Sequence, residues 1–145
     1  MAVNIFYENV DYKLKPVTKV KSWIKEIVTS HKGTTKTISI IFCSDDYLLQ
    51  INRQYLNHDY YTDIITFPYE EFPMVGGDIF ISIDTVMSNA QQFNVSLSNE
   101  VMRVVSHGIL HLIGFNDYTD QERANMHSLE DSALKLFEAN HGPIV

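Results

Sequence analysis

Residues 106–118 read S-H-G-I-L-H-L-I-G-F-N-D-Y and contain the most informative residue spacing in the chain. His107 and His111 are four positions apart, so on an α-helix both rings project from one face, about 6 Å apart along the axis. Gly114 permits the helix to end in a left-handed turn, after which Asp117 can return towards the two rings. The pattern H-x-x-x-H-x-x-G-x-x-D therefore predicts a metal site with His107, His111 and Asp117 as ligands.

Two histidines at this spacing are most often surface or core residues, so the metal prediction depends on the glycine turn and the third ligand. On a helical wheel the pair lies roughly 140° from the centre of the apolar stripe, so it is not simply part of the apolar face. The stripe consists of Val101, Val105, Ile109 and Leu112. The alternative is that both rings bond backbone groups inside the protein and that Asp117 is only a turn residue.

Hydrophobic periodicity predicts the fold class. Alternating and β-branched segments indicate four strands, at 3–10, 37–43, 62–68 and 77–83, with 69–77 as a loop. The short connection makes the third and fourth strands antiparallel. Because helices dominate the C-terminal half, we expect one α+β domain over residues 1–145, with a small mixed sheet of about four strands packed with about five helices.

Helix-start signals place the five helices. Pro16 lies in the first turn of the first helix, the third helix spans 84–93, and the other three follow Ser44, Ser98 and Thr119 as caps. The fourth helix bears the two histidines, and the last one opens with the capping-box pattern T-x-x-E. The predicted metal site therefore lies on a helix of the C-terminal half and on the turn that follows it.

The net charge of −7 counts against generic, charge-driven binding of nucleic acid. Charge is unevenly distributed, because residues 1–36 hold seven basic and three acidic residues, a balance of +4, and the remainder hold four basic and fifteen acidic, a balance of −11. This asymmetry either offers a polyanion one side to approach or marks a solvated helix face.

The single cysteine, Cys43, lies in an apolar run and has no partner for an intrachain disulfide. This usage is typical of a buried thiol in a reducing compartment. The N-terminal residues show no signal-peptide pattern, and no run of eighteen apolar residues occurs. We therefore expect a soluble, cytoplasmic protein with no membrane partner.

Two histidines and one aspartate suit one Zn²⁺ per chain, and other divalent transition metals are alternatives. Three protein ligands leave a position where water can be acidified or a phosphoryl oxygen polarised. No catalytic residue is assigned beyond this metal-activated water. In metalloproteases with H-E-x-x-H, the glutamate after the first histidine is the general base. Gly108 occupies that position here, which argues against peptide hydrolysis by that route.

Three segments together resemble the YbeY family of bacterial rRNA maturation factors: H-G-I-L-H-L-I-G-F at 107–115, T-D-I-I-T-F-P at 62–68 and G-G-D-I-F-I-S at 76–82. The similarity runs in order from about Asn52 to Met126. It implies a single-strand-specific, zinc-dependent endoribonuclease that acts in maturation of small-subunit (16S) rRNA and in ribosome quality control. Single-stranded rRNA and the ribosome or its proteins are the implied partners.

The chain departs from the family pattern at two positions. Asp117 stands where the family usually has a third histidine, which lowers the charge of a divalent site from +2 to +1 and should make its water less acidic. Leu56 stands where the family usually has an arginine. Arg53 or Arg103 could replace it as a phosphate contact, or both could be surface residues or ion-pair partners.

Two other functions remain open from the sequence. One is a non-catalytic ribosome assembly factor in which the metal is structural. The other is a metal-dependent hydrolase of another substrate, which the ligand pattern alone would permit. Cleavage of single-stranded RNA that requires both His111 and a metal would separate the endoribonuclease from both alternatives.

Overall fold

The structure, a computed structural model, describes residues 2–58 and 60–144. The strands are β1 (Ala2–Glu8), β2 (Thr34–Cys43), β3 (Ile64–Pro68) and β4 (Met74–Ser82). The helices are α1 (Val17–Ser30), α2 (Asp45–Leu56), α3 (Ile83–Phe93), α4 (Leu97–Ile113) and α5 (Asp120–His141). The sheet has the order β1-β2-β4-β3, with β1 and β4 parallel to β2 and β3 antiparallel to β4. The predicted α+β fold, with its mixed sheet and five helices, is confirmed for the described residues.

Strand β4 begins earlier than predicted. The predicted loop ends with Gly76 and Gly77 and the predicted strand begins at Gly77, whereas both glycines lie inside β4. A Cβ atom at Gly76 would lie 3.0 Å from the carbonyl oxygen of Thr37, and one at Gly77 would overlap the carbonyl oxygen of Phe67. The two glycines therefore permit close approach of neighbouring strands, which a sequence pattern does not distinguish from a turn.

Two of the predicted helix caps are confirmed and one is wrong. Ser44 caps α2, and Thr119 forms a capping box with Glu122 at the start of α5. Helix α4 is capped by Ser96, whose hydroxyl accepts from the backbone N–H of Asn99 at 3.0 Å, and not by Ser98. The helix begins two residues earlier than predicted and already includes Leu97, which packs against the core.

Alternation along β4 divides the packing between the two faces of the sheet. Ile79 and Ile81 belong to the main core with α1, α4 and α5, whereas Phe80 packs on the other face beside α2. Gly108 brings α4 close to the sheet, because a Cβ there would lie 3.0 Å from both Ile64 Cδ1 and Ile79 Cγ2. The C-terminal half of α4 is thereby held against β3, which is an edge strand.

Cys43 is fully buried and has a free thiol, as predicted. Burial is the main reason that its pKa is raised to about 12, with smaller contributions from the charges of Asp45, Asp84 and Glu8. The thiolate, which is the reactive form, is therefore scarce near neutral pH.

None of the helices in the described part of the chain combines the length and the apolar character needed to cross a lipid bilayer. The longest of them, α5, spans 22 residues, but charged residues recur along its exposed side.

Candidate metal centre

The three predicted ligands converge. His107 and His111 project from the last two turns of α4, the helix ends at Gly114 with a positive φ of 125°, and Asp117 follows in the turn. The two histidine Nε2 atoms lie 2.9 Å apart, and each is 3.4 Å from Asp117 Oδ2. Neighbouring ligands of a tetrahedral zinc with bonds of about 2.1 Å lie about 3.4 Å apart, so the observed separations suit such an ion.

Backbone and arginine contacts hold the turn between α4 and α5. The N–H groups of Gly114 and Phe115 both donate to the carbonyl oxygen of Leu110 at 3.1 Å, which satisfies the end of α4. Arg123, in the first turns of α5, donates through Nη1 to the carbonyl oxygen of Tyr118 at 2.9 Å. The segment that includes the third predicted ligand is therefore anchored on both sides.

Hydrogen bonds at the Nδ1 atoms determine which ring nitrogens face the cluster. His111 Nδ1 lies 2.9 Å from the Phe115 carbonyl oxygen, which can only accept, so Nδ1 bears the hydrogen. His107 Nδ1 lies 2.6 Å from Glu130 Oε2 and likewise donates. In the neutral rings both Nε2 lone pairs then point at each other and at the Asp117 carboxylate, an arrangement that a cation stabilises.

One of the backbone contacts that the alternative interpretation requires is present, from His111 to the Phe115 carbonyl oxygen. That bond uses Nδ1 and leaves Nε2 in the cluster. The two histidine side chains are 19% and 22% exposed and that of Asp117 is 31% exposed, so solvent reaches all three. This donor set could hold a metal ion.

A buried charge network supports His107. Glu100 and Glu130 are 1% and 2% exposed, and Arg103 bonds both, with Nε 3.0 Å from Glu100 Oε1 and Nη1 3.0 Å from Glu130 Oε1. Burial acts to raise the pKa of Glu130, but the hydrogen bond and electrostatic attraction from His107 and the charge of Arg103 outweigh it and lower that pKa. Glu130 is therefore an ionised acceptor for the His107 ring.

The arginines named from the sequence lie in different surroundings. Arg103 is engaged by two buried carboxylates, and its bonds to Glu100 raise its pKa in spite of burial. This supports the ion-pair alternative for Arg103 over a phosphate contact. Leu56 lines a groove that reaches His111 and Asp117, whereas Arg53, one helical turn earlier, is not among the groove-lining residues. A phosphate contact by Arg53 stays a prediction.

Two cavities adjoin the cluster, and Asp117 lines both of them. The smaller has a volume of about 130 Å³ and is lined by Arg103, His107, Asp117, Arg123, Met126, His127 and Glu130. The larger, of about 410 Å³, contains His111 and Asp117 in its wall, and we call it the substrate groove. A bound ion would therefore face open space in which a substrate could lie.

Glu130 was not identified from the sequence. It lies on the inward side of α5 between Met126 and Ala133, both of which are buried. An acidic residue within an otherwise apolar stripe is a usable signal, because a buried carboxylate requires a partner. Glu100 presents the same signal on α4.

Comparison with known proteins identifies the family of the chain. The family described as Endoribonuclease YbeY matches residues 5–138. Proteins named Endoribonuclease YbeY are similar to the chain. That of Phocaeicola vulgatus is 48% identical over 91% of this chain and 97% of its own length. That of Porphyromonas gingivalis is 39% identical over 97% of this chain and 93% of its own length. The solution structure of a Thermotoga maritima protein, 26% identical, superimposes with a TM-score of 0.67 over 95% of this chain and 90% of its own. The chain, with its H-G-I-L-H-L-I-G-F helix end and converging donors, belongs to the YbeY family.

Proposed function

We propose that this protein, as one YbeY-like domain over residues 1–145, is a single-strand-specific, metal-dependent endoribonuclease. It would act in maturation of small-subunit 16S rRNA and in ribosome quality control, with rRNA and the ribosome or its proteins as partners. The main support is the convergence of His107, His111 and Asp117 in an open cleft, in a chain similar to proteins named endoribonucleases. The free, buried Cys43 supports a reducing, cytoplasmic location.

The metal in this proposal is one zinc ion per chain, held by His107, His111 and Asp117, with other divalent transition metals as alternatives. When bound, such an ion supplies positive charge that can acidify water or polarise a phosphoryl oxygen. The two imidazoles and one carboxylate match this class of ion, whereas structural zinc sites more often use several thiolates, and this chain has one cysteine.

The protein's own groups orient the donors. Glu130 and the Phe115 carbonyl oxygen accept the Nδ1 hydrogens of His107 and His111, so each Nε2 lone pair remains directed into the cleft. Arg103 compensates the charge of Glu130 in the interior. The donors are thus arranged before any ligand arrives, which reduces the reorganisation needed during reaction.

Packing at Gly108 disfavours the protease alternative. In H-E-x-x-H proteases the general base stands directly after the first histidine. Here that position is glycine, and its Cα faces Ile64 and Ile79 so closely that a larger side chain would need these residues to move. Peptide hydrolysis by that route lacks its base.

The test combines metal analysis with RNA cleavage. Freshly purified wild type, His111→Ala and His141→Gln are analysed for bound metals and incubated with a single-stranded RNA and with its duplex, with and without chelator. The control residue His141 bonds Glu26 and lies outside the donor cluster. We expect about one ion per chain and cleavage of the single strand by wild type and His141→Gln, and neither ion nor cleavage for folded His111→Ala.

Two results would contradict the proposal. Cleavage that persists in His111→Ala or under chelation would remove the metal from the reaction. Stoichiometric metal without cleavage of any RNA strand would favour a non-catalytic assembly factor. Circular dichroism of each variant separates these results from misfolding.

A further inference from the structure

We propose that the substrate groove binds the bases of single-stranded RNA by aromatic stacking, with Tyr60 and Tyr118 as the stacking residues. The inference rests on the proposed function, because it concerns how that substrate is held at the same site. It assigns a binding role to residues outside the donor cluster, and it predicts recognition through bases with little contribution from surface charge.

The substrate groove has the size and position for this role. Its volume of about 410 Å³ lies in the range of small-ligand sites. It runs between the C-terminal half of α2, the edge strand β3 and the turn before α5. The lining residues are Asn52, Leu56, His58, Tyr60, Thr62, Ile64, Ile65, Thr66, His111, Asp117 and Tyr118. An occupant that lies in the groove therefore reaches two of the three donors.

Two large aromatic side chains project from the groove wall into solvent. Tyr118 directly follows Asp117 and is 80% exposed, and Tyr60 is 56% exposed. The Tyr60 ring is stacked on His58 with ring centroids 5.2 Å apart and an angle of 21° between the planes. Flat rings exposed beside a reactive site provide faces on which nucleobases can stack.

Helix α2 holds Tyr60 in place. The side chain of Asn52 is buried, and its Nδ2 donates to the Tyr60 carbonyl oxygen at 2.8 Å. The Asn52 carbonyl oxygen accepts from the His58 N–H at 3.1 Å, and the Tyr60 hydroxyl lies 3.0 Å from His58 Nδ1. Because the ring is ordered in advance, little conformational entropy is lost when a base stacks on it.

Charge in the groove favours bases over phosphates as the recognised groups. Among the described residues that line it there is no lysine or arginine, and Asp117 is acidic. Stacking needs an unpaired base, because bases within a duplex are already stacked on one another. Only a single strand has unstacked bases that can pack on the exposed rings. An aromatic groove whose described lining includes no lysine or arginine therefore selects single strands.

A tryptophan reporter tests the contact directly. Trp23 is fully buried and its indole N–H bonds the Ala133 carbonyl oxygen, so it gives a constant background. Tyr118→Trp places an indole in the groove, and Tyr69→Trp places one at a tyrosine that is 66% exposed in a separate cavity. We expect hexaadenylate to quench the fluorescence of Tyr118→Trp saturably and that of Tyr69→Trp not at all. The fluorescence is measured before any cleavage is detectable. Equal response of the two variants would overturn the proposal.

Affinity measurements provide the second readout. In fluorescence anisotropy with labelled hexaadenylate, we expect Tyr60→Ala and Tyr118→Ala each to weaken binding about tenfold, with Tyr118→Phe close to wild type and Tyr69→Ala unchanged. An abasic hexamer should compete poorly. Raising salt from about 50 to about 200 mM should weaken binding less than about threefold, as for one phosphate contact at most. Equal competition by abasic and adenylate hexamers would overturn base stacking.

The outcomes separate this inference from the proposed function. If the wild type cleaves RNA and both alanine variants keep its KM, the stacking role is wrong while the ribonuclease proposal stands. If hexaadenylate binds through the two tyrosines and nothing is cleaved, the ribonuclease proposal fails while the groove assignment stands. Displacement of hexaadenylate by an unfolded polypeptide such as reduced casein would show that the groove binds extended peptides along β3, and would overturn the proposal.

Discussion

Glu130 bonds the donor cluster directly, through the ring of His107. Its carboxylate accepts from His107 Nδ1 at 2.6 Å, and its other oxygen is bonded by Arg103. A carboxylate in this place increases the basicity of the imidazole and restricts its rotation. Glu130 is thus a positioning residue for the predicted ligand, and its effect should appear in metal affinity as well as in turnover.

We expect Glu130→Gln to weaken metal binding by about 10- to 100-fold, because a neutral amide polarises the imidazole less than a carboxylate does. Competition with a chromophoric chelator measures the affinity. Glu138→Gln changes an exposed glutamate on the same helix and serves as the matched control. Affinities of Glu130→Gln and Glu138→Gln within about twofold of wild type would show that Glu130 has no role at the site.

Asp117 provides a second test at the scale of single residues. Its carboxylate would leave a divalent site with a charge of +1, whereas a histidine would leave +2, so water at the site should be more acidic in Asp117→His. We expect the pH profile of RNA cleavage to lie at lower pH for Asp117→His than for wild type. Initial rates of wild type and Asp117→His are measured from pH 5.5 to 9.5, about four units around neutrality. Coincident pH profiles of the two proteins would reject the charge argument.

Among the elements, the unit formed by α4, its turn and α5 assembles the site. Helix α4 provides both histidines, the turn provides the carboxylate, and α5 provides Glu130 and Arg123. The sheet supports this unit through the close approach of α4 at Gly108 and through edge strand β3, which lines the substrate groove. Changes in strand packing should therefore affect stability without removing any donor.

Gly77 in β4 should be among the least tolerant glycines. An added Cβ would overlap the Phe67 backbone, and its φ of 156° lies outside the range that other residues favour. We expect Gly77→Ala to lower the free energy of unfolding by about 3 kcal/mol, from overpacking together with backbone strain. Gly114 also has a positive φ, but nothing lies within 4 Å of its added Cβ. Gly114→Ala should therefore cost only about 1–2 kcal/mol.

Urea denaturation monitored by Trp23 fluorescence compares the two glycine variants. Equal losses of unfolding free energy would show that the contact between β4 and the Phe67 backbone is relieved by a small strand movement. The comparison separates steric overlap from conformational strain, because both positions share the strain and only Gly77 has the overlap.

For the whole molecule, the buried thiol predicts an alkaline limit to stability. Burial raises the pKa of Cys43 to about 12, compared with about 8.5 for an exposed thiol. A group whose folded pKa is raised contributes stability that is complete below the unfolded pKa and is lost as pH rises towards the folded value. Between about pH 8.5 and about 12, Cys43 should therefore reduce the free energy of unfolding by up to about 1.4 kcal/mol per pH unit.

Cys43→Ala isolates this contribution from the tyrosines that titrate in the same range. The variant should be less stable at neutral pH, because it leaves a small cavity, but its stability should decline less steeply from about pH 8.5 to about 10.5. Urea midpoints at intervals across this range provide the slopes. Parallel declines in wild type and variant would mean that the thiol ionises in the folded protein as readily as in the unfolded chain.

Short-range patterns predicted much of the fold. Strand alternation, serine and threonine caps and helical spacing identified, in the correct order, the nine elements that residues 2–58 and 60–144 form, because each depends on neighbours within a few residues. Errors arose where two local interpretations were equally good. Ser96 and Ser98 both suit a helix start, and the pair Gly76–Gly77 suits a turn as well as a closely packed strand.

The sequence by itself determined the convergence of His107, His111 and Asp117. All three lie within eleven residues, and over that distance helix pitch and one glycine turn decide where their side chains meet. Only the tertiary structure decided that Glu130, 23 residues after His107, would orient its ring, and that Arg103 would be engaged by buried carboxylates. The substrate groove likewise joins α2, β3 and the turn. These contacts depend on the packing of distant segments, which no local period encodes.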